Sequence, residues 1–368
     1  MDRIRKNFGF GMMRLPLNGE DIDWEKTSEM VDSFISSGFN YFDTAHGYLN
    51  ERSEEAVRRC LTSRYSRESY VLTDKLTASY FKSEDDIRPL FEKQLSSCGV
   101  DYFDFYLMHA QGRTNYDHFR ECRAYETAFA LKDEGRIRHV GISFHDSADY
   151  LEKILTDYPD IEVVQLQLNY LDWDDPAVQS GKCLEVARRH NKGVIVMEPV
   201  KGGSLVNLPR AAKEVFSSLN GGSPASYAIR FAAGKDGVIM VLSGMSSPDQ
   251  MEENIATMKD FKPLDEMEST AVEKVRRIFA SMHLIECTGC RYCTPGCPGH
   301  IAIPDIFASY NSREIHHSWN ADYYYRIHTS GAGKASECIR CGKCEKVCPQ
   351  HLEIRRLLEK CASIFDKK

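Results

Sequence analysis

Eight of the thirteen cysteines in the 368-residue sequence fall in two short runs near its C-terminal end. The first run, ECTGCRYCTPGCP, begins at Glu286, and the second, ECIRCGKCEKVCP, begins fifty-one residues later at Glu337. In each run two, two and three residues separate successive cysteines, and a proline follows the last one. Three closely spaced thiolates can hold three irons of one cubane, so this spacing predicts two [4Fe–4S] clusters.

The fourth cysteine of each such run binds the cluster of the other run. The first predicted cluster therefore takes Cys287, Cys290, Cys293 and Cys348, and the second takes Cys338, Cys341, Cys344 and Cys297. The alternative is a pair of structural zinc sites, which usually use two pairs of cysteines separated by a loop. Four packed cysteines that end in proline favour clusters over zinc. Cys361 lies outside the pattern, and we expect it in a hydrophobic core.

A second group of reactive side chains lies in the first 260 residues, where Asp43, Tyr48, Lys75 and His109 end or closely follow three strand-like runs. A tyrosine hydroxyl titrates near ~10, and a nearby ammonium group favours the phenolate. Lys75, held by Asp43, would thus lower the pKa of Tyr48, which could protonate a carbonyl oxygen while hydride arrives at the carbon. His109 would orient the carbonyl. Taken singly, each residue has a structural alternative, an ion pair or a hydrogen-bonded histidine.

The elements that must position these side chains alternate between short apolar runs and amphipathic stretches. The eight strand-like runs are Phe8–Met13, Phe39–Asp43, Tyr70–Lys75, Phe103–His109, His139–Ser143, Val163–Leu168, Gly193–Met197 and Val238–Ser243. A helical pattern follows each, including one over Tyr116–Glu134 and one over Pro209–Ala233 that Gly221–Gly222 interrupts. Eight βα units in about 250 residues predict an α/β fold, a (β/α)8 TIM barrel. An open doubly wound sheet is the alternative, but no GxGxxG follows the first strand.

The four side chains, with GFGMMRLP before them and FDTAHGYLNERSEEAV around them, resemble the aldo-keto reductases. The resemblance covers about residues 8–260. It implies a (β/α)8 barrel, a nicotinamide cofactor bound without a Rossmann domain, and interconversion of a carbonyl and an alcohol. In the family's scheme Tyr48 is the proton donor, and Asp43, Lys75 and His109 tune it.

The same resemblance implies cofactor-binding residues. Ser143 and Gln165 match the positions that bind the nicotinamide amide, and Met197 stands where the family usually has an aromatic ring. Gly202, Gly203 and Ser204 would wrap the pyrophosphate, although an ordinary glycine turn is the alternative. Glu253 and Asn254 match the positions that hold adenine.

The cofactor is expected to be NAD(H) or NADP(H), and the stretch after the eighth strand bears on that choice. The family's basic residues for the 2′-phosphate are replaced here by Gly244 and Gln250. A phosphate without a charge-assisted partner gains little from a site. We therefore expect NADH to serve at least as well as NADPH.

The alternation of strand-like and helical patterns stops after the barrel. This change predicts three parts: a barrel over residues 1–262, a helical linker over 263–285 and a cluster domain over 286–368. The last part resembles the mainly helical two-cluster ferredoxin modules attached to some dehydrogenases. Its aromatic stretch HHSWNADYYYRIH is expected to pack beside the clusters or the barrel.

The composition sets outer limits on function. The net charge of −7 argues against a nucleic acid or an anionic membrane as partner. No apolar run approaches the roughly 18 residues of a membrane span, so we expect a cytoplasmic protein.

The leading hypothesis is a nicotinamide-dependent oxidoreductase of small carbonyls or alcohols, with clusters that relay electrons. One alternative is an electron-transfer adaptor that serves a redox partner protein, with a flavin in the barrel mouth to split electron pairs. Another is a reductase whose clusters are structural or redox-sensing.

Overall fold

The structure is a computed structural model that describes residues 1–175, 178–219, 221–282, 284–316 and 320–366. Its contacts group the chain into two compact units. The first unit comprises Met1–Pro199 and Ala228–Leu264, and the second comprises Val200–Tyr227 and Asp265–Lys368. The segment that follows the seventh barrel strand therefore groups with the cysteine-rich part of the chain.

The first unit contains a closed barrel of eight parallel strands, in which each strand pairs with its neighbours in the sequence and the first pairs with the last. The strands are β1 Phe8–Gly11, β2 Tyr41–Asp43, β3 Val71–Leu76, β4 Phe103–Gln111, β5 Ile137–Phe144, β6 Val163–Gln167, β7 Gly193–Met197 and β8 Val238–Gly244. The barrel closes where Gly11 of β1 lies beside Gly244 of β8 and beside Asp43 of β2. The predicted (β/α)8 fold is confirmed.

Apolar side chains from alternate positions of the strands fill one cluster of the barrel core: Tyr41, Val71, Phe105, Leu107, Val163, Ile195, Met240 and Leu242. β-Branched and aromatic residues suit a pleated, fully buried surface, which is why these runs form strands. At the carboxyl ends of the strands the buried residues become polar, as with Asp43, Lys75 and Ser143. In a TIM barrel this end carries the active site.

Helices alternate with the barrel strands along the chain, and further helices follow the last strand. They are α1 Trp24–Ser36, α2 Ser53–Val57, α3 Glu84–Cys98, α4 Tyr116–Glu121, α5 Ala124–Asp133, α6 Ala148–Asp157, α7 Ser180–Arg189, α8 Arg210–Ser217, α9 Pro224–Ala233, α10 Pro248–Lys259, α11 Glu266–Ser281, α12 Ile303–His316, α13 Asn320–Thr329, α14 Lys343–Lys346 and α15 Ile354–Phe365. The helix expected over Tyr116–Glu134 is two helices, because Arg123 has a left-handed φ of 52°. A left-handed residue interrupts an α-helix.

The second unit is mainly helical and has its own core. Within it α11 begins with a capping box between Asp265 and Glu268, the signal that sets the start of a helix. Its core contains Ile285, Cys293, Ile301, Ile303, Ile306, Phe307, Tyr310, Tyr325, Ala335, Cys344, Ile354, Leu358 and Cys361. Cys361 lies in this core, as expected. Part of the aromatic stretch from His316 to His328 lies outside the described residues.

Among the described residues, no helix has the length and apolar character that crossing a membrane requires.

Candidate active site and cluster cavities

Lys75 and Asp43 form a buried ion pair at the carboxyl ends of two neighbouring strands. The Lys75 Nζ atom donates to Asp43 Oδ1 at 2.6 Å and to the Thr44 carbonyl at 2.7 Å. The side chain of Lys75 is fully buried. Asp43 and Thr44 follow one another at the end of β2, beside β3, which is why both reach the same ammonium group. The sequence predicted this pair, and the structure brings it together.

Tyr48 lies in the loop that joins β2 to α2. The loop is tight: the Tyr48 amide donates to the Ala45 carbonyl, and the Ser53 amide donates to the Tyr48 carbonyl. Three residues with left-handed φ, Leu49, Asn50 and Glu51, turn the chain into α2. The turn directs the Tyr48 ring back to the barrel end, where Lys75 Nζ lies 4.9 Å from the ring centroid.

The pKa of the Tyr48 hydroxyl is raised well above its usual value of 10. Burial is the main cause, and the carboxylates of Asp43, Asp74 and Glu198 add to it. Tyr48 as a whole residue is partly exposed to solvent. The expectation of a lowered Tyr48 pKa is therefore wrong, because burial and the three carboxylates oppose the phenolate more strongly than the nearby Lys75 charge favours it.

His109 lies near the carboxyl end of β4, and its ring contacts the ring of Tyr48. The two ring centroids lie 5.7 Å apart with an interplanar angle of 75°. The other side of the imidazole is anchored, since Nδ1 lies 2.7 Å from Thr77 Oγ1. Burial and the nearby Lys75 charge hold the pKa of His109 well below its usual value of 6.5. His109 is therefore neutral near pH 7, a hydrogen-bonding rather than a charged group.

Two residues predicted to bind a nicotinamide amide lie on neighbouring strands of the same barrel end. Ser143 on β5 and Gln165 on β6 are register partners, and both are buried. The Gln165 amide donates to Asp43 Oδ2 at 3.0 Å, which ties it to the ion pair. Within the described part of the chain, Ser143 Oγ is buried and makes no hydrogen bond. An orphaned buried hydroxyl is costly, so this atom suits a polar ligand group.

The other residues of the first unit that are predicted to bind the cofactor lie at the ends of β7 and β8 or on α10. Met197 ends β7 and is partly exposed, opposite Gln167 in the register. Asn254 on α10 is buried and donates to Ser243 Oγ at 3.3 Å, so it lies at the end of β8. Glu253, its neighbour, is exposed.

Arg14 is a basic residue at this end of the barrel that the sequence-based interpretation missed. The stem of Arg14 packs on Gly244: a Cβ added to Gly244 would lie 3.2 to 3.4 Å from its Cβ, Cγ and Cδ atoms. Ser246, two residues on, donates to the Arg14 carbonyl at 2.8 Å. The signal was available, because β1 and β8 close the barrel and therefore place the loop after β1 beside Gly244.

The three predicted pyrophosphate residues fall in the second unit. Gly202 and Gly203 have left-handed φ values of 62° and 100°, which glycine adopts without a steric cost. Ser204 closes this single helical turn, its amide donating to the Lys201 carbonyl. The segment is thus a tight turn, in which the Gly203 amide also donates to the Val200 carbonyl.

The eight predicted cluster cysteines, all in the second unit, line two cavities. One cavity encloses about 320 Å³ of space, counting the part open to solvent, and its cysteines are Cys287, Cys290, Cys293 and Cys348. The other encloses about 330 Å³, and its cysteines are Cys297, Cys338, Cys341 and Cys344. The fourth cysteine of each run therefore faces the cavity of the other run. The walls are otherwise mainly apolar, with Ile303 shared by both.

The two runs also repeat their backbone turns. Left-handed residues recur at an offset of fifty-one: Gly289 with Arg340, Arg291 with Gly342, and His300 with His351. After each fourth cysteine, the histidine amide donates back to the cysteine carbonyl, at 3.0 Å in the first run and 3.1 Å in the second. The cavities are thus related by an internal structural repeat, which explains the repeated sequence.

The donor set and the space fit cubane clusters. A cubane keeps its four thiolates apart around a core of iron and sulfide, whereas zinc draws four ligands to about 2.3 Å from one point. Across the described ranges, no three His, Cys, Asp or Glu side chains converge closely enough to hold a single metal ion. The four thiols that line each cavity thus match the number of ligands that a cubane takes.

Comparison with known proteins agrees with both parts of the chain. The model of the Aldo/keto reductase family matches residues 7–277. The model of the 4Fe-4S dicluster domain matches residues 286–352. The first match covers well over half of the sequence, and the second covers both cysteine runs.

Individual relatives are distant. The chain is 26% identical to dihydrodiol dehydrogenase 3 of Bos taurus over 273 residues, which cover 66% of this chain and 82% of that protein. It is 22% identical to the NAD(P)H-dependent D-xylose reductase xyl1 of Hypocrea jecorina over 290 residues, or 68% and 86% of the two chains.

Among solved structures, an aldo-keto reductase from Klebsiella pneumoniae in complex with NADPH superposes with a TM-score of 0.60 at 18% identity, covering 73% of this chain and 90% of that one. The holo form of the aldo-keto reductase AKR11C1 from Bacillus halodurans also gives 0.60, at 24% identity, covering 73% and 91%. At such identities these likenesses show the fold. With the family match and the barrel geometry, they establish that this chain is an oxidoreductase of the aldo-keto reductase family that also carries a 4Fe-4S dicluster domain.

Proposed function

We propose that the barrel catalyses the reversible, nicotinamide-dependent reduction of a small carbonyl compound to an alcohol, with Tyr48 as proton donor. The observation that carries this proposal is the arrangement at the barrel end. The Lys75–Asp43 ion pair lies against the Tyr48 ring, and the neutral His109 lies 5.7 Å from the same ring. Tyr48 is thus an acid that lies beside a hydrogen-bonding group, His109, and a fixed positive charge, Lys75.

The roles follow from the electrostatics. A Tyr48 hydroxyl with a raised pKa keeps its proton at neutral pH and can donate it to a developing alkoxide. The Lys75 charge near the ring stabilises the phenolate that remains. His109, held neutral, hydrogen-bonds the substrate oxygen without competing as an acid. The phenolate then recovers a proton from solvent, because Tyr48 is partly exposed.

A reduced nicotinamide supplies the hydride for this chemistry when it is bound. Ser143 and Gln165 would hold its amide, and the orphaned Ser143 hydroxyl supports that role. Met197 would pack on the ring through its thioether. Gly202, Gly203 and Ser204 would hold the pyrophosphate, and Glu253 and Asn254 would hold the adenine.

Arg14 changes the expected cofactor preference. Its stem covers Gly244, the place where the family has a basic residue for the 2′-phosphate. A guanidinium pairs well with phosphate through bidentate hydrogen bonds. We therefore propose that Arg14 lets the enzyme use NADPH as well as NADH.

For the C-terminal part we propose two [4Fe–4S] clusters with crossed ligation. The grouping of cysteines around the two cavities supports this assignment. The clusters would relay single electrons between the protein and a redox partner. We retain the limits 1–262, 263–285 and 286–368 as the proposed functional domains.

The experiment that tests the proposed activity uses protein purified under anaerobic conditions. Oxidation of NADPH and NADH would be followed at 340 nm with a panel of small aldehydes and ketones, and formation of the alcohols confirmed by mass spectrometry. The proposal expects stoichiometric alcohol for each nicotinamide oxidised. The adaptor alternative expects nicotinamide oxidation only with an added one-electron acceptor, and a bound flavin in the absorption spectrum.

A further inference from the structure

The turn of residues 201–204 contains a non-glycine residue in the left-handed backbone conformation, which is disfavoured for a side chain with a Cβ. Lys201, Gly202 and Gly203 have consecutive left-handed φ values of 47°, 62° and 100°. The two glycines adopt such values readily, but Lys201 carries a Cβ that clashes there. A non-glycine residue persists in this conformation when its surroundings fix it. The surroundings of Lys201 therefore decide whether the turn keeps its shape.

Glu286 forms an ion pair with Lys201. The Lys201 Nζ atom lies 3.1 Å from Glu286 Oε2, and both residues belong to the second unit. The Lys201 side chain is 2% exposed and that of Glu286 is 45% exposed. A lysine buried this deeply needs a carboxylate partner to remain charged. Glu286 immediately precedes Cys287, the first cysteine of the first cavity.

Gly202, which follows Lys201, also contacts the backbone of Thr288, two residues after Glu286. A Cβ added to Gly202 would lie 2.3 Å from the Thr288 carbonyl oxygen and 2.8 Å from the carbonyl carbon. Only glycine allows the two backbones to approach this closely. Thr288 is buried, follows Cys287 and lines the first cavity itself. The turn and the wall of the first cluster cavity are thus joined at two successive positions.

We propose that Glu286 is a positioning residue for cofactor binding: it holds Lys201, and through it the 201–204 turn, in the conformation that binds the pyrophosphate. This inference rests on the proposed function, which gives the turn to the pyrophosphate. A cluster in the first cavity fixes Cys287 and thereby its neighbours Glu286 and Thr288. The affinity for the nicotinamide cofactor therefore depends on the occupancy of that cavity.

The test measures cofactor binding by quenching of protein fluorescence, in the full chain with its clusters intact. Glu286→Gln removes the charge but keeps the size. We expect its Kd for NADPH to rise about five- to tenfold, within the range of ordinary coupling between sites. The KM for NADPH should rise with the Kd while kcat stays unchanged, and Glu286→Asp should recover part of the loss. Glu353→Gln, in an exposed ion pair of the same unit, is the matched control and should bind as the wild type does.

A double-mutant cycle separates positioning from direct phosphate binding. If Glu286 acts through Lys201, Lys201→Met should cost as much as Glu286→Gln, and the double variant should cost no more than either. Additive losses, or a far larger loss in Lys201→Met, would mean that Lys201 contacts the phosphate itself, which overturns the proposal. Iron analysis of each variant shows whether the clusters remain.

Removal of the clusters with a chelator provides the second arm. The cluster-free wild type should then bind NADPH about as weakly as the cluster-loaded Glu286→Gln variant does. Removal of the clusters from Glu286→Gln should lower its NADPH affinity little further. Wild-type affinity that survives cluster removal would overturn the proposal while leaving the proposed reductase function intact. If the cluster-loaded wild type binds neither NADPH nor NADH, the proposed function itself fails.

Discussion

Lys75 donates from Nζ to Asp43 Oδ1 at 2.6 Å, and the structure buries both side chains at the end of two adjacent barrel strands. The same carboxylate accepts a second hydrogen bond from Gln165 through Oδ2. Asp43 is therefore shared between the ammonium group beneath the Tyr48 ring and a residue assigned to the nicotinamide amide. This shared carboxylate links the proposed proton donor to the proposed cofactor position.

Asp43→Asn should both destabilise the fold and abolish most of the activity. Removing one partner of a buried pair leaves an uncompensated charge, which costs about 3–5 kcal/mol of unfolding free energy. Denaturant unfolding of the full chain measures the loss. Glu134→Gln, which breaks the exposed pair with Arg88, should cost about 1 kcal/mol or less. Equal losses of unfolding free energy in the two variants would show that the buried Asp43–Lys75 pair stabilises the fold no more than an exposed ion pair does.

The pH dependence of stability should show the neutral His109. Its pKa is depressed in the folded protein, so below about pH 6.5 the unfolded chain binds a proton that the folded chain does not. The contribution of His109 to stability is therefore present above pH 6.5 and is lost as the pH falls below it. His109→Asn should lose less stability between pH 7.5 and pH 5.5 than the wild type. Parallel curves for the two proteins would contradict a depressed pKa.

Arg14→Met should change cofactor preference rather than chemistry. Loss of a charge-assisted hydrogen bond to the 2′-phosphate costs about 1.5–3 kcal/mol, which is roughly a tenfold or greater rise in the Kd for NADPH. The Kd for NADH, which lacks that phosphate, should stay within about twofold. Arg5→Met, a substitution of an exposed arginine, serves as the control. A matched loss for both nucleotides would mean that Arg14 supports the loop and not the phosphate.

Cys297→Ser should damage the cluster of the second cysteine run. The reason is that Cys297 lines the cavity of Cys338, Cys341 and Cys344, while Cys293 lines the other. The intact anaerobic protein should contain about eight irons per chain. Electron paramagnetic resonance of the reduced variants should show that Cys297→Ser and Cys293→Ser perturb different signals. Loss of the same signal in both variants would rule out crossed ligation, and stoichiometric zinc with little iron would rule out the clusters.

Much of this architecture could be predicted from the sequence because its signals are local. Alternating apolar runs set the eight strands, and the positions of Asp43, Lys75 and His109 at strand ends followed from them. The doubled cysteine spacing likewise identified both cavity linings. What the sequence did not reveal depends on tertiary contacts. Arg14 meets Gly244 only because the barrel closes, and the break at Arg123 depends on a left-handed backbone that no residue type signals.

The pKa of Tyr48 was mispredicted for a related reason. Sequence reasoning could place an ammonium group near the hydroxyl, but it could not weigh that charge against burial and three carboxylates. Similarly, the contact of Lys201 with Glu286 joins residues far apart in the sequence. Both effects require the packed structure.

The most direct test of the central claim is single-turnover reduction of an aldehyde by wild-type protein and by Tyr48→Phe, each preloaded with reduced nicotinamide. The variant removes only the hydroxyl, so its Kd for the nicotinamide should match that of the wild type. Its rate of hydride transfer should fall by roughly 10²–10⁴-fold, the usual contribution of a positioned acid. Because the Tyr48 pKa is raised, the wild-type rate should stay level from pH 6 to pH 9. An unchanged rate in Tyr48→Phe would contradict the account and remove Tyr48 from the mechanism.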